Sequence, residues 1–279
     1  MATPEHMARM RQGAGPWRSW RGANPTVVPD LTGAELMGRD LRAYDLTGAN
    51  LAQARGYAAR LDGADLTGAT SAGADFENTT WHGAKLIKGT ADRVRWGGAD
   101  LTGAIARSIK APLADFSGAT ANHFDGRDGN FEAITAIAAN FQDASFSRAN
   151  LRRANLTNLR GDRGHWSGAT LDGATLDGAS LLNITLDGSS GQNLRASGAH
   201  LGRAHCREVT WRGADLRRLQ APWSHWTHSD LRGVDFRGAT LTGASFRHAD
   251  LTGATFLGAD LHLADFHGAI LHLTQFDRP

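Results

Sequence analysis

The sequence is poor in several features that would direct its interpretation at once. Its 279 residues include one cysteine, Cys206, which excludes an internal disulfide framework and any cysteine-based zinc module. No apolar run approaches the ~20 residues of a membrane span, and the N-terminal stretch from Met1 to Gln12 is polar. We therefore expect a soluble, cytoplasmic protein with no export signal and no membrane association.

Charge of one sign is also lacking. The chain has 30 basic and 28 acidic residues, which leaves a formal charge of +2 at pH 7. A strongly basic balance would indicate a protein that binds nucleic acid through its phosphates, and this balance does not. Direct nucleic-acid binding is therefore not expected.

What the sequence does have is an internal repeat of five residues. Taking every fifth residue from Leu31 to Phe276 gives 50 central positions, of which 22 are Leu, 10 are Phe and 5 are Trp. Alanine is common two places before a central residue, and glycine is common two places after it. The frame does not slip anywhere in this range, so the repeat decides the fold.

A period of five matches neither an α-helix nor a β-strand. A central residue and the residue two before it point to the same side of a short extended segment, and glycine two places after it suits a corner. Each pentad is then one side of a polygonal coil, and stacked coils form a solenoid with a filled core. Leu and Phe alternate at the centres from Phe236 to Phe276, which favours an even number of sides without proving four.

The repeat, as in Ala249-Asp250-Leu251-Thr252-Gly253, resembles the pentapeptide-repeat family, whose unit is A-(D/N)-L-x-x. The resemblance implies an all-β fold, a right-handed quadrilateral parallel β-helix with four pentads per coil. Residues 29–279 would form about 12 coils, and at a strand spacing of ~4.8 Å the solenoid would be roughly 60 Å long.

The two ends of the chain depart from the repeat. Residues 1–28 carry none, and a short helix over Pro4 to Gln12 is predicted as an N-terminal cap with Met7, Met10, Trp17 and Trp20. The final coil has apolar residues where the repeat is normally polar. Members of the resembled family that act on topoisomerases dimerise through their C-termini, which implies a homodimer here; a frayed last coil is the alternative. The candidate dimer interface consists of Leu257, Leu263, Ile270, Leu271, Leu273 and Phe276.

Residues 104–138 follow the repeat least well. Several centres there are small, while Ile109, Leu113, Phe124 and Ile134 stand off-centre. Either large and small side chains exchange places inside the coil, or the segment bulges; we favour the exchange, because an insertion would have to be a multiple of five. Pro112 and Pro222 follow centres directly, so each either removes a ladder donor or lies in a turn.

If the coil has four sides, residues 20 apart in sequence stack on one another, and one side collects half of the histidines. Its candidate interaction face consists of His205, Arg207, Trp223, His225, His228, Arg247 and His248. The functional interpretations are a pH-sensitive protein-binding patch or a metal site, and the alternative is an ordinary solvated side. A metal needs three or four converging ligands, whereas a flat ladder offers two, so no metal is expected.

No arrangement of residues predicts catalysis. Cys206 occupies a centre and should be buried and inert, and there is no phosphate-binding GxxxxGK[ST] motif. We expect no enzyme activity and no cofactor.

Three functions are compatible with this fold. The first is a rigid, non-catalytic interaction rod that binds a macromolecular protein partner. The second follows from the resemblance: a DNA mimic that binds DNA gyrase or topoisomerase and protects it from quinolones or other poisons. Mimicry requires an acidic stripe, which Asp45, Asp65, Asp125 and Asp187 could supply locally. The third is a structural subunit or cargo of a larger assembly.

Overall fold

The computed structural model describes residues 2–277. They form two compact units, which divide between Thr135 and Ala136. The first unit begins with two helices, α1 (Pro4–Arg11) and α2 (Ala14–Ala23). The short helix predicted from Pro4 is present, whereas α2 was not anticipated. Among the described residues, neither helix has the length and apolarity to cross a bilayer.

Both units are solenoids in which residues 20 apart pair in parallel. The bridges run from Asp30↔Asn50 to Asp115↔Thr135 in the first unit, and from Asn140↔Arg160 to Thr255↔Gln275 in the second. A bridge interval of 20 residues is four pentads, so each coil has four sides. The prediction of a quadrilateral β-helix is confirmed. Each side contributes one bridging residue rather than a long strand.

The backbone hydrogen bonds repeat in every pentad, as the pentad centred on Leu151 illustrates. The amide of Leu151 donates to the carbonyl of Thr170 on the next coil (2.8 Å), and the amide of Arg153 donates to that of Asp172 (3.0 Å). In the opposite direction, the amide of Thr170 donates to the carbonyl of Ala149 (2.9 Å). The ladder therefore fixes the register of each coil on the next.

Every corner is a turn with a left-handed residue. The amide three places after a centre donates back to the central carbonyl, as from Ala154 to Leu151 (3.1 Å). The residue two places after the centre has positive φ at every corner from Gly33 to Leu273, and 27 of these residues are not glycine. This is the backbone of a type II turn, and it explains the glycine preference of the repeat.

One amide per pentad, directly after the centre, takes no part in this ladder. The Asp or Asn before the centre accepts its hydrogen bond, as Asp250 Oδ1 does from the amide of Thr252 (3.0 Å). In several pentads where that residue is neither Asp nor Asn, an Asp on the preceding coil accepts this hydrogen bond, as Asp172 Oδ1 does from the amide of Gln192 (2.9 Å). Satisfying this amide explains the Asp/Asn preference of the repeat.

Proline occurs at the position whose amide the ladder does not use. Pro112 and Pro222 each follow a centre, and their carbonyls still accept ladder hydrogen bonds from Arg93 (3.0 Å) and Arg203 (2.9 Å). Of the two alternatives for these prolines, the structure selects the turn, in which proline is favoured at this position.

The core of each unit is filled by the central side chains and by those two places before them. Within residues 104–135 the bridges keep their 20-residue interval, and Ile109 and Phe124 are buried two places before the small centres Ala111 and Gly126. The prediction of an exchange between large and small side chains is confirmed for these positions. Leu113, by contrast, lies at a corner and is 48% exposed.

The helices cover the first coil of the first unit. Trp17 is fully buried, and its indole nitrogen donates to the carbonyl of Asp45 (2.7 Å). Met10 is buried, while Met7 and Trp20 are half-buried, with Trp20 packed on Trp17 at 5.0 Å between ring centroids. Each of the four residues proposed for the cap thus belongs to one of these helices.

Two further residues of this cap were not singled out from the sequence. The buried Arg21 donates to the carbonyls of Val27 (2.7 Å) and Thr47 (2.9 Å), and His6 Nδ1 accepts from the amide of Asp30 (3.0 Å). These groups satisfy first-coil backbone atoms for which no earlier coil exists among the described residues. No sequence pattern distinguishes this arginine and histidine from the others.

Candidate functional site

The histidine side of the second unit brings together the residues predicted to share it. The rings of His205 and His225, on successive coils, have centroids 5.3 Å apart. Those of His228 and His248 are 5.0 Å apart and stacked at 14°, and His267 meets His248 edge-on at 5.9 Å. The five rings therefore form two ladders along one side, one at its beginning and one at its end.

Trp223 lies at the corner that precedes this side and is 50% exposed. Its indole covers Gly243 on the next coil, where an added Cβ would lie 2.8 Å from the ring atom Cδ2. Beside the ring is an open depression, called here the Trp223 groove. It is lined by Asn183, Arg203, His205, Trp223, His225 and Gly243.

The sequence prediction included Trp223, His205 and His225 of this groove but missed Arg203 and Asn183. Both occupy the same corner column as Trp223, one and two coils earlier. The 20-residue interval would have found them, had the corner positions been read as a column as well as the side.

The charges that flank the groove are largely compensated. Arg207 pairs with Asp187 (3.3 Å) and approaches His205 Nδ1 (3.5 Å), and Arg247 pairs with Asp265 (2.9 Å). Burial lowers the pKa of His225, and the neighbouring His205 and Arg207 lower it further. His225 is therefore mainly neutral at pH 7.

The stacked imidazoles do not form a metal site. Among residues 2–277, no group of three or more histidine, cysteine, aspartate or glutamate side chains is placed to hold a metal ion.

Cys206 lies under this side and is buried, as its central position predicted. Burial raises the pKa of its thiol well above the ordinary value, and the nearby Asp187 adds to the effect. The thiolate, which is the nucleophilic form, is therefore scarce at neutral pH, and the side chain acts as a small apolar core residue.

The four carboxylates considered for an acidic stripe are each neutralised by a neighbouring cation. The ion pairs are Asp45 with Arg21 (3.5 Å), Asp65 with Lys85 (3.5 Å), Asp125 with Arg107 (2.6 Å) and Arg127 (2.8 Å), and Asp187 with Arg207 (3.3 Å). These residues therefore do not present the uncompensated negative charge that imitation of a DNA backbone requires.

A further histidine, His82 in the first unit, bridges two carboxylates. Its Nδ1 lies 2.8 Å from Asp62 and its Nε2 lies 3.0 Å from Asp100. The hydrogen bond with Asp62 and the charge of both carboxylates raise the pKa of His82. This imidazole therefore holds three successive coils together through its protonated form.

The last described coil is the most exposed apolar region of the second unit. All six residues of the candidate dimer interface are exposed, from 37% for Phe276 to 72% for Leu273. Two of them, Leu271 and Phe276, are central residues that would be buried in an interior coil. Next to them, the carboxylate of Asp277 accepts a hydrogen bond from the amide of Gly258 (3.0 Å).

Comparisons with known proteins agree with the repeat. Eight copies of the family model "Pentapeptide repeats" match within residues 34–70, 130–160, 229–268 and 244–278. No curated protein matches the sequence significantly.

Solved structures similar to this chain include other pentapeptide repeat proteins. HetL, involved in heterocyst differentiation regulation in the cyanobacterium Nostoc sp. strain PCC 7120, is 26% identical, with 88% of this chain and 89% of HetL covered and a TM-score of 0.36. Full-length QnrB1, a plasmid-mediated fluoroquinolone resistance protein, is 19% identical, with coverage of 70% and 92% and a TM-score of 0.38. The matched repeats and the four-pentad coils show pentapeptide repeats in a right-handed quadrilateral β-helix, the architecture of the pentapeptide-repeat family, which this chain resembles.

Proposed function

We propose that this protein is a non-catalytic interaction module that binds a macromolecular protein partner through the histidine side of its second unit. The observation that carries the proposal is the exposed Trp223 beside His205 and His225. An exposed tryptophan among polar groups is the kind of residue that dominates binding energy at protein interfaces.

The different roles of the positions within each pentad support this proposal. The central residue and the residue two before it fill the core, and the backbone amides are used by the ladder, the turns and the Asp or Asn caps. The remaining outward side chains are free to vary without cost to the fold. Binding specificity therefore belongs to the outward columns, and in the second unit the histidine side has the greatest concentration of aromatic rings.

Site-specific photo-crosslinking tests the proposal. A benzophenone amino acid replaces Thr227, which lies on the histidine side, and a matched variant carries it at Thr252, on another side of the same unit. We expect one protein to be captured at Thr227 and not at Thr252. That protein, once identified and purified, should bind the wild-type chain and bind the variant Trp223→Ala at least tenfold more weakly. Equal capture at both positions, or no capture, would overturn the proposal.

Protection of DNA gyrase or topoisomerase from quinolones is the alternative function. The paired carboxylates described above count against the electrostatic mimicry that it requires. A gyrase supercoiling assay with and without a fluoroquinolone decides the matter directly. Neither protection nor inhibition at micromolar protein would eliminate this alternative.

We also propose that the exposed apolar residues between Leu257 and Phe276 contact a second copy of the chain to form a homodimer. Light scattering of the variants Leu271→Asp and Phe276→Asp should give the monomer mass, while the wild type gives twice that mass. An unchanged mass in the variants would refute the contact. A dimer interface here would also distinguish this function from that of a structural subunit or cargo, in which the same surface would bind a different protein.

A further inference from the structure

Trp223 has a position that the fold alone does not account for. It is a bulky residue with φ of +59° at a corner where glycine is common, and half of its side chain is exposed. Positive φ is the rule at these corners, so the exposure is what distinguishes Trp223, because leaving aromatic surface in water is unfavourable. A corner does not require an aromatic ring, which makes this ring a candidate for contact with a partner.

The indole of Trp223 packs against Gly243 of the next coil, which restricts its orientation. One face of the ring covers Gly243, and any side chain at that position would displace it. Gly243 itself has φ of +65° and therefore suits both the turn and the close approach of the ring. A ring held flat in this way is pre-organised to stack with a second flat group, which lowers the entropic cost of binding.

The polar residues of the Trp223 groove are donors and cations. Arg203 forms no ion pair with a described carboxylate, and Asn183, His205 and His225 add hydrogen-bonding nitrogen atoms. No aspartate or glutamate lines the groove. The complementary ligand therefore carries negative charge beside a flat apolar group.

We propose that the Trp223 groove binds an acidic segment of the protein partner in which an aromatic side chain stacks on Trp223 and an adjacent carboxylate pairs with Arg203. This inference rests on the proposed function, because it specifies the chemistry of that partner. A carboxylate is favoured over the phosphate of a nucleic acid because the groove offers one guanidinium, whereas backbone phosphates are bound by rows of cations.

Defined polymers test the inference with the full-length protein. The probe is a fluorescein-labelled copolymer of glutamate and tyrosine, compared with polyglutamate and with oligothymidylate of equal charge. We expect the copolymer to bind about fivefold more tightly than polyglutamate. This advantage should disappear in the variant Trp223→Ala. Arg203→Ser should weaken binding of the copolymer and of polyglutamate alike. The matched control is Tyr57→Ala, which removes an exposed aromatic residue of the first unit. It should not change the affinity for either polymer.

Each outcome decides the inference. Tighter binding of the copolymer than of polyglutamate, sensitive to Trp223 and Arg203, supports it. The inference is overturned if oligothymidylate binds more tightly than the copolymer. It is also overturned if neither Trp223→Ala nor Arg203→Ser changes the affinity for the copolymer. The proposed function is judged separately: a partner crosslinked at Thr227 that has no acidic aromatic segment would leave the interaction module standing and refute this inference alone.

Discussion

The left-handed corners lead to a prediction that is opposite to the usual effect of glycine. Ala58 occupies a corner with φ of +56°, is exposed, and has Gly63 as its counterpart one pentad later, with φ of +64°. We predict that Ala58→Gly stabilises the first unit and that Gly63→Ala destabilises it. Ala52→Gly is the matched control, because Ala52 precedes a corner residue and does not have positive φ.

The magnitude follows from two opposing contributions. An alanine in the left-handed region costs about 1–2 kcal/mol of backbone strain, which glycine avoids. Glycine in turn makes the unfolded chain more flexible, which costs about 0.4–1 kcal/mol. The net gain for Ala58→Gly is therefore about 0.5–1 kcal/mol. An added Cβ on Gly63 meets no atom within 4 Å, so no steric clash adds to the strain and Gly63→Ala should lose a similar net amount.

Urea unfolding followed by far-ultraviolet circular dichroism measures these changes as shifts of the transition midpoint at constant slope. Ala58→Gly should raise the midpoint, while Gly63→Ala and Ala52→Gly should lower it. If Ala58→Gly lowered the midpoint as much as Ala52→Gly does, the backbone strain argument would be wrong.

Three further predictions concern the amides, the histidine bridge and the cap. Ala72→Pro, directly after a centre, should leave the free energy of unfolding unchanged or raise it. Ala74→Pro removes the hydrogen bond from the amide of Ala74 to the carbonyl of Ser71, so it should lower the free energy of unfolding by about 3 kcal/mol. His82→Gln should cost less than about 1 kcal/mol, because the bridge is half exposed. Since the pKa of His82 is raised, its contribution is complete below the unfolded value of about 6.5 and lost as the pH rises through the folded value, so the difference from wild type should be larger at pH 5.5 than at pH 9. Arg21→Met should destabilise the first unit by about 1.5–3 kcal/mol, because the carbonyls of Val27 and Thr47 lose their charged donor; a loss below 1 kcal/mol in denaturant titration would contradict the capping role.

The fold could be predicted from the sequence to an unusual depth, because one short unit is repeated with an unbroken frame. The core positions followed from that frame, and so did the exchange at Ile109 and Ala111. The number of sides did not follow from spacing, since pairing depends on which residues lie opposite in space. The 20-residue bridges supplied that number.

The candidate site was predicted less completely, for a physical reason. The repeat identifies which side chains point outward, and it placed His205, His225 and Trp223 together. It does not indicate which way a long side chain leans. The cover of Gly243 by Trp223, and the participation of Arg203 in the groove, depend on rotamers that the pattern leaves free. The same applies to Arg21, whose role comes from a helix packing on the coil.

The ladder gives each coil a direction as well as a register. Of the three hydrogen bonds that link a pentad to its successor, two have the amide on the earlier coil and one has it on the later coil. A coil edge that faces earlier residues is therefore rich in acceptors, and it is met by the donors of Trp17 and Arg21. The opposite edge is rich in donors, and there a carboxylate, Asp277, binds an amide. Two like edges placed against each other would be mismatched in hydrogen bonding, so a dimer formed by residues 257–276 has to be joined by side chains and not by a continued sheet.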